Sequence, residues 1–183
     1  MEQRLIDATL EEMKLHSLKF TMDDLTRRLH ISKTSLYKMT KSKDQLIAAI
    51  IDYIIADFKT KEAIILQTKQ SIPEKILAIV KIYTDIFDNF SKNICNDLQI
   101  MYPEQSKRWQ DFQEARIDDI MRLTQEAIDS GIYRPINIAV LRQCLVTAIP
   151  SLADSNFLRQ NNLTYSEAIK AVSDIIVYGS IKK

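Results

Sequence analysis

Thr21-Met-Asp-Asp-Leu-Thr-Arg-Arg-Leu-His-Ile-Ser-Lys-Thr-Ser-Leu-Tyr-Lys-Met-Thr-Lys-Ser-Lys43 is the stretch from which the rest of the chain is read. Thr21 with Asp24 three residues on is a variant capping box, and it predicts a helix over about 22–29 with Leu25 and Leu29 turned inward. His30-Ile31-Ser32 breaks the period. Ser32 then caps a further helix, about 33–39, whose Leu36 points inward. Two short helices joined by three residues, with apolar anchors at 25, 29, 31 and 36, have the spacing of a helix-turn-helix. The anchors leave Lys33, Thr34, Ser35, Tyr37 and Lys38 facing outward. From Leu25 to Lys43 the stretch also holds Arg27, Arg28, Lys33, Lys38, Lys41 and Lys43 and not one acid. A polyanion outside the protein is the expected source of the missing negative charge.

The periodicity on either side is helical throughout. Leu5, Ala8, Thr9 and Met13 mark one face of a first helix over about 2–15, and Leu46, Ile47, Ile50, Ile54 and Phe58 mark a stripe on a long helix over about 43–69. After Gln70–Pro73, helices are expected over about 73–90, 91–101, 103–130, 136–152 and 164–178, with Gly131 as the C′ residue that stops the longest of them. Only two glycines and four prolines occur in 183 residues, too few for a turn-rich β fold or a glycine-lined nucleotide site. The fold expected is all-α, about nine helices.

Composition excludes several function classes. Lys and Arg number 25 against 24 Asp and Glu, a net charge of +1. Residues 1–47 hold nine cations and seven acids, so the charge is clustered rather than abundant. The most apolar run, LIAAIIDYIIADF, contains Asp52 and Asp57, which argues against a membrane span. The N-terminus, MEQRLIDATLEEMK, is acidic and amphipathic rather than signal-like, so a cytoplasmic location is expected. Cys95 and Cys144 lack zinc-like spacing and are expected as buried thiols. His16 and His30 both fall at helix ends, and acid pairs such as Glu11-Glu12 are expected on outer or opposite positions. No nucleophile–base pair, phosphate loop or metal-ligand set is legible. An enzyme is not expected, nor a metal, nor a cofactor.

Residues from about Leu5 to Leu46 resemble the DNA-binding domain of the TetR family of transcriptional regulators. The family pattern is Thr-Val-x-x-Ile-Ala-x-x-Ala-Gly-Val-Ser-x-Gly-Thr-Leu-Tyr-x-x-Phe-x-x-Lys-x-x-Leu. This chain matches it at Thr21, Leu25, Ile31, Ser32, Ser35, Leu36, Tyr37, Lys43 and Leu46, the run LYKMTKSKDQL being the more specific part. His30, and often His16, stand where the family has Gly, both just after a helix where φ > 0 is useful. Thr40 replaces a usual aromatic, with Phe20 and Met39 as candidates to supply the volume, and Thr26 and Leu29 replace small alanines.

The resemblance implies a DNA-binding domain over residues 1–46 and a helical effector-binding and dimerisation domain over 47–183. Resemblance and geometry together assign phosphate contacts to Thr21, Tyr37, Lys38, Lys41 and Lys43, and base-edge contacts to Lys33, Thr34 and Ser35. Of Arg27 and Arg28 only one is expected to face DNA, and Arg28 is the candidate. In the larger domain the resemblance implies a dimer, with Leu141, Leu145, Ile149, Ile169, Val172 and Ile176 as interface candidates on two apolar helix faces. It also implies a small-molecule pocket, for which Tyr83, Phe87, Cys95, Met101, Tyr102, Trp109, Phe112 and Arg116 are candidates, with Phe90 beside them. Asp118, Asp119 and Glu126 are expected on solvated faces. The implied function is a homodimeric transcription regulator, a repressor released from palindromic double-stranded DNA by a small-molecule effector. A helical interaction module without DNA binding, and a ligand-independent or activating regulator, remain open alternatives.

Overall fold

The computed structural model describes residues 2–88, 94–152 and 155–181. Ten α-helices run through the described residues: α1 Gln3–His16, α2 Met22–Leu29, α3 Lys33–Met39, α4 Lys43–Gln67, α5 Ile72–Asp88, α6 Ile94–Met101, α7 Pro103–Asp129, α8 Ile138–Leu152, α9 Ser155–Gln160 and α10 Tyr165–Ser180. A 3-10 turn, Ser17–Lys19, separates α1 from α2. No strand occurs among the described residues. The all-α class stands, and α2 and α3 begin and end where their caps predict. The short α9 and the 3-10 turn are additional to the expected set.

The chain forms two compact units, one from residues 1–57 and 89–110 and one from 58–88 and 111–183, so that α4 and α7 contribute residues to both. In the first unit α1 packs on α2 and on the 3-10 turn, α2 packs on α3, and α6 packs on the 3-10 turn. Leu5, Met13, Leu18, Phe20, Leu25, Leu36, Leu46, Ile47 and Ile50 are buried there. Burying side chains of this size stabilises by about 1.5–3 kcal/mol each, relative to leaving them in water. Phe20 is buried, and so is Thr40, which donates its hydroxyl to the Ser42 carbonyl. In the second unit α5 and α10 form the principal contact and α8 packs on α10. Phe58, Ile76, Ile79, Phe112, Leu123, Ala127, Tyr133, Leu145, Ile169 and Val177 are buried in it.

The structure corrects three expectations. His16 has φ −125° and the left-handed residue is its neighbour Ser17, φ 54°. Glu12 is buried rather than outward, because it receives an arginine. Cys95 and Cys144 are both exposed free thiols, as each sits on the outer side of its helix.

Candidate nucleic-acid interface and interior cavity

The exposed face of α3 is built by its caps and one anchor. Ser32 Oγ accepts from the Ser35 N–H at 3.1 Å, fixing the first turn, and the fully buried Leu36 fixes which side faces inward. Lys33, Thr34, Ser35, Tyr37 and Lys38 are consequently exposed, followed by Lys41. Upstream, Thr21 and Asp24 form a complete capping box: Thr21 Oγ1 accepts from the Asp24 N–H at 3.2 Å, and Asp24 Oδ2 accepts from the Thr21 N–H at 2.7 Å. The Thr21 hydroxyl also donates to Asp24 Oδ2, and these bonds hold the Asp24 carboxyl below the usual carboxylate range. His30 closes α2 in the left-handed region, φ 55° and ψ 44°.

Carboxylates just outside the basic stretch answer part of its charge. Lys33 Nζ lies 2.8 Å from Asp23 Oδ1, and that hydrogen bond raises the lysine's pKa. Arg27 pairs with Asp24. Arg28 Nε donates to Glu12 Oε1 at 2.6 Å; Glu12 is 4 % exposed, so this arginine is tied to α1. Of the two arginines, Arg27 has the more exposed side chain, 77% against 32% for Arg28. Lys43 is directed inward: Nζ donates to the carbonyls of Leu18 and Phe20 and sits 4.4 Å from the centre of the Phe20 ring. Burial holds its pKa below the lysine value, against Asp44, Asp24 and Asp97, which favour the charge.

The second unit holds a partly open cavity of about 90 Å³. Its walls come from Phe58 on α4, Ile76, Ile79, Val80 and Tyr83 on α5, Gln113, Arg116, Ile117 and Ile120 on α7, Leu145 and Ile149 on α8, and Ile169, Val172, Ser173, Ile176 and Val177 on α10. On α5, α7 and α10 the lining follows i, i+3, i+4, i+7, one face of each helix. Arg116 donates to Glu62 and lies 2.7 Å from Asp119, with its guanidinium 5.5 Å and 5.3 Å from the ring centres of Phe58 and Phe112. Those two rings meet edge-to-face at 5.2 Å. Burial raises the Glu62 pKa; Arg116 opposes the shift and Asp119 adds to it. Asp119 is thus half-buried in an ion network rather than on a solvated face, whereas Asp118 pairs with Arg142 at the surface.

No family model matches the chain. An uncharacterized HTH-type transcriptional regulator, YvaF of Bacillus subtilis (strain 168), is 23% identical over 180 residues, spanning 98% of this chain and 95% of the relative. A TetR transcription regulator from Haloarcula marismortui ATCC 43049 superposes with a TM-score of 0.75 at 14% identity, over 98% of this chain and 97% of its own. The chain has the TetR-regulator fold. A TetR-family regulator from Cytophaga hutchinsonii agrees, with a TM-score of 0.72 at 16% identity over 99% and 94% of the two chains.

Within this TetR fold, the residues proposed from sequence for a pocket divide between the units. Tyr83 and Arg116 line the cavity, and Phe112 packs on Phe58 behind Arg116. Cys95, Met101, Tyr102 and Trp109 fall in the other unit, with Cys95 and Met101 exposed and Trp109 buried. The side chain of Phe87 and all of Phe90 lie outside the described residues. Five of the six dimer candidates lie along the cavity. Leu145, Ile149, Ile169, Val172 and Ile176 line the chain's own cavity, Leu145 at 8% and Ile169 at 5% exposure, and Leu141 is half-buried. On α8 and α10 the exposed large apolar side chains are Val140, Ile175 and Tyr178, at 58%, 73% and 61%. Gln113, Ile117 and Ile120 escaped the sequence reading, although their spacing from Arg116 carries the same signal that identified other buried faces.

Proposed function

We propose that the chain is a sequence-specific, DNA-binding transcription regulator that acts as a homodimer. Residues 1–46 bind DNA, and residues 47–183 supply dimerisation and effector binding. The observation that carries the reading is the α3 face: Leu36 buried behind, and Lys33, Thr34, Ser35, Tyr37, Lys38 and then Lys41 exposed in front. A helix of this kind enters the major groove, its first residues on base edges and its flanking cations on phosphate. Thr21 and Arg27 join the phosphate set, Arg27 taking the place expected for Arg28. Lys43 acts as a positioning residue that ties the start of α4 to the chain between α1 and α2. The Asp23–Lys33 pair leaves Lys33 available, because an exposed ion pair contributes little and yields to a phosphate or a guanine edge.

The dimer rests on the outer faces of α8 and α10. Val140, Cys144 and Thr147, and Ala171, Ile175 and Tyr178, recur at i, i+4, i+7 as exposed positions without charge. A two-fold pairing of these faces places two recognition helices on half-sites about one DNA turn apart, hence a palindromic operator. The regulator is read as a repressor, released when an effector favours a conformation that does not fit the operator.

Fluorescence anisotropy with a duplex recovered from a random pool tests the reading. Binding should fall steeply with salt, and Lys38→Ala or Lys41→Ala should each lower the salt slope by about one on every sequence. Indifference to duplex DNA at low ionic strength would remove the proposal.

A further inference from the structure

Two acids stand in the first turn of α2, and they meet different partners. Asp24 closes the capping box with Thr21 and pairs with Arg27. Asp23 reaches across to the first residue of α3. Its Oδ1 lies 2.8 Å from Lys33 Nζ, with the aspartate side chain 57% and the lysine side chain 64% exposed. The pair thus sits at the N-terminal end of the exposed α3 face, next to Thr34 and Ser35. On the DNA-binding reading just given, on which this inference rests, that end of the helix meets base edges. A carboxylate there is opposed by the phosphates of the duplex, and an exposed pair with lysine contributes little to the fold.

We propose that Asp23 is a specificity-determining residue: with Lys33 it reads one G·C base pair in each half-site, Lys33 on guanine and Asp23 on the cytosine N4 amino group. The count of donors and acceptors carries the assignment. Contact through Nζ and Oδ1 leaves Lys33 two further N–H donors and Asp23 a second oxygen. In the major groove a G·C pair presents guanine N7 and O6, both acceptors, followed by the cytosine N4 donor. O6 and N4 are hydrogen-bonded to each other, so they stand about 2.9 Å apart. The ion pair, at 2.8 Å, has the same spacing with donor and acceptor reversed. An A·T pair also sets an acceptor beside a donor. It offers the lysine one acceptor there instead of two adjacent ones, and thymine adds a methyl group. A phosphate takes Lys33 only by stranding the Asp23 carboxylate beside like charge, so the same residue lowers affinity for non-operator DNA.

The test uses the full chain and the duplex recovered from a random pool, read by anisotropy. Each position is changed in both half-sites, to another base pair and, where cytosine stands, to 2-pyrimidinone, which is cytosine without its N4 amino group. At one G·C position the wild type should lose about tenfold or more in affinity from either change. Asp23→Ala should abolish the response to 2-pyrimidinone at that position, keep discrimination elsewhere, and raise affinity for a scrambled duplex about threefold or more. Lys33→Ala should relax the preference for guanine at the same position. The 2-pyrimidinone series on the wild type needs no variant, so a folding defect in Asp23→Ala leaves a decisive result. A wild type indifferent to the N4 amino group at every position, or a response that persists in Asp23→Ala, overturns the role of Asp23 while DNA binding stands. Relaxation by Lys33→Ala at a different position overturns the joint reading of one base pair. No binding of the wild type to any duplex at low ionic strength overturns the DNA-binding reading itself, and this inference with it.

Discussion

Lys43 holds three pieces of chain together through one ammonium. Its donors reach the carbonyls of Leu18 and Phe20, at the end of the 3-10 turn and just before α2, while its backbone opens α4. Hydrogen bonds to a charged group contribute more than neutral ones, about 1.5–3 kcal/mol, offset here by partial burial of the cation. Lys43→Met should therefore lower stability by about 1–2 kcal/mol and Tm by roughly 2–6 °C in DNA-free protein. It should leave the salt slope of DNA binding unchanged, as measured by anisotropy over a salt series. A slope lowered by about one, with Tm unmoved, would instead make Lys43 a phosphate contact. The sequence shows this lysine as the last cation of an acid-free run from Leu25. It could not show the partners of that run: Glu12, which takes Arg28, stands sixteen residues away and one helix earlier.

At the scale of elements, local signals were strong wherever a helix end is decided by its own residues. Three helices close with the same device. Gly131, His30 and Asn162 each take φ > 0, at 73°, 55° and 52°. In each case that residue's N–H bonds the carbonyl three back and the next N–H reaches the carbonyl five before it, as in Ile31 N–H to Thr26, Ile132 N–H to Ala127 and Leu163 N–H to Leu158. Gly131 was legible as such a residue because glycine adopts this conformation without a Cβ penalty, and His30 was legible through the glycine it replaces. His30→Gly should relieve the left-handed strain at a position on no core face. After the entropy gained by the unfolded chain, a net gain of up to about 1 kcal/mol is expected, read as a higher Tm by thermal unfolding. A lowered Tm would mean that the imidazole makes a stabilising contact. The shift of the left-handed residue from His16 to Ser17 was not legible. The 3-10 turn that follows α1 sets that geometry, and three residues carry too little periodicity to announce it. The six-residue α9 escaped for the same reason.

At the scale of the whole molecule, the second unit shows which questions a helix pattern leaves undecided. α8 is apolar nearly all round, with Arg142 its only charge, so periodicity alone offers either the Leu141–Leu145–Ile149 face or the Val140–Cys144–Thr147 face to the interior. The fold turns the first toward α10 and the cavity and leaves the second outside. An interface on the outer face makes a direct prediction. Ile175→Glu places two like charges near the symmetry axis and should weaken dimerisation roughly 100-fold or more, seen by sedimentation velocity as a monomer at concentrations where the wild type is dimeric. A variant that remains dimeric would move the interface elsewhere. The sequence by itself determined the all-α class, the positions of α2 and α3, the caps that place them and the outward set from Lys33 to Lys38, because each depends on residues within one or two helical turns. The tertiary structure decided which carboxylate answers which cation, that Lys43 turns inward, that α6 and the start of α7 join the first unit, and which apolar face lines a cavity rather than a surface. Those outcomes depend on which helices meet, and a repeating pattern along one helix does not say what lies across from it.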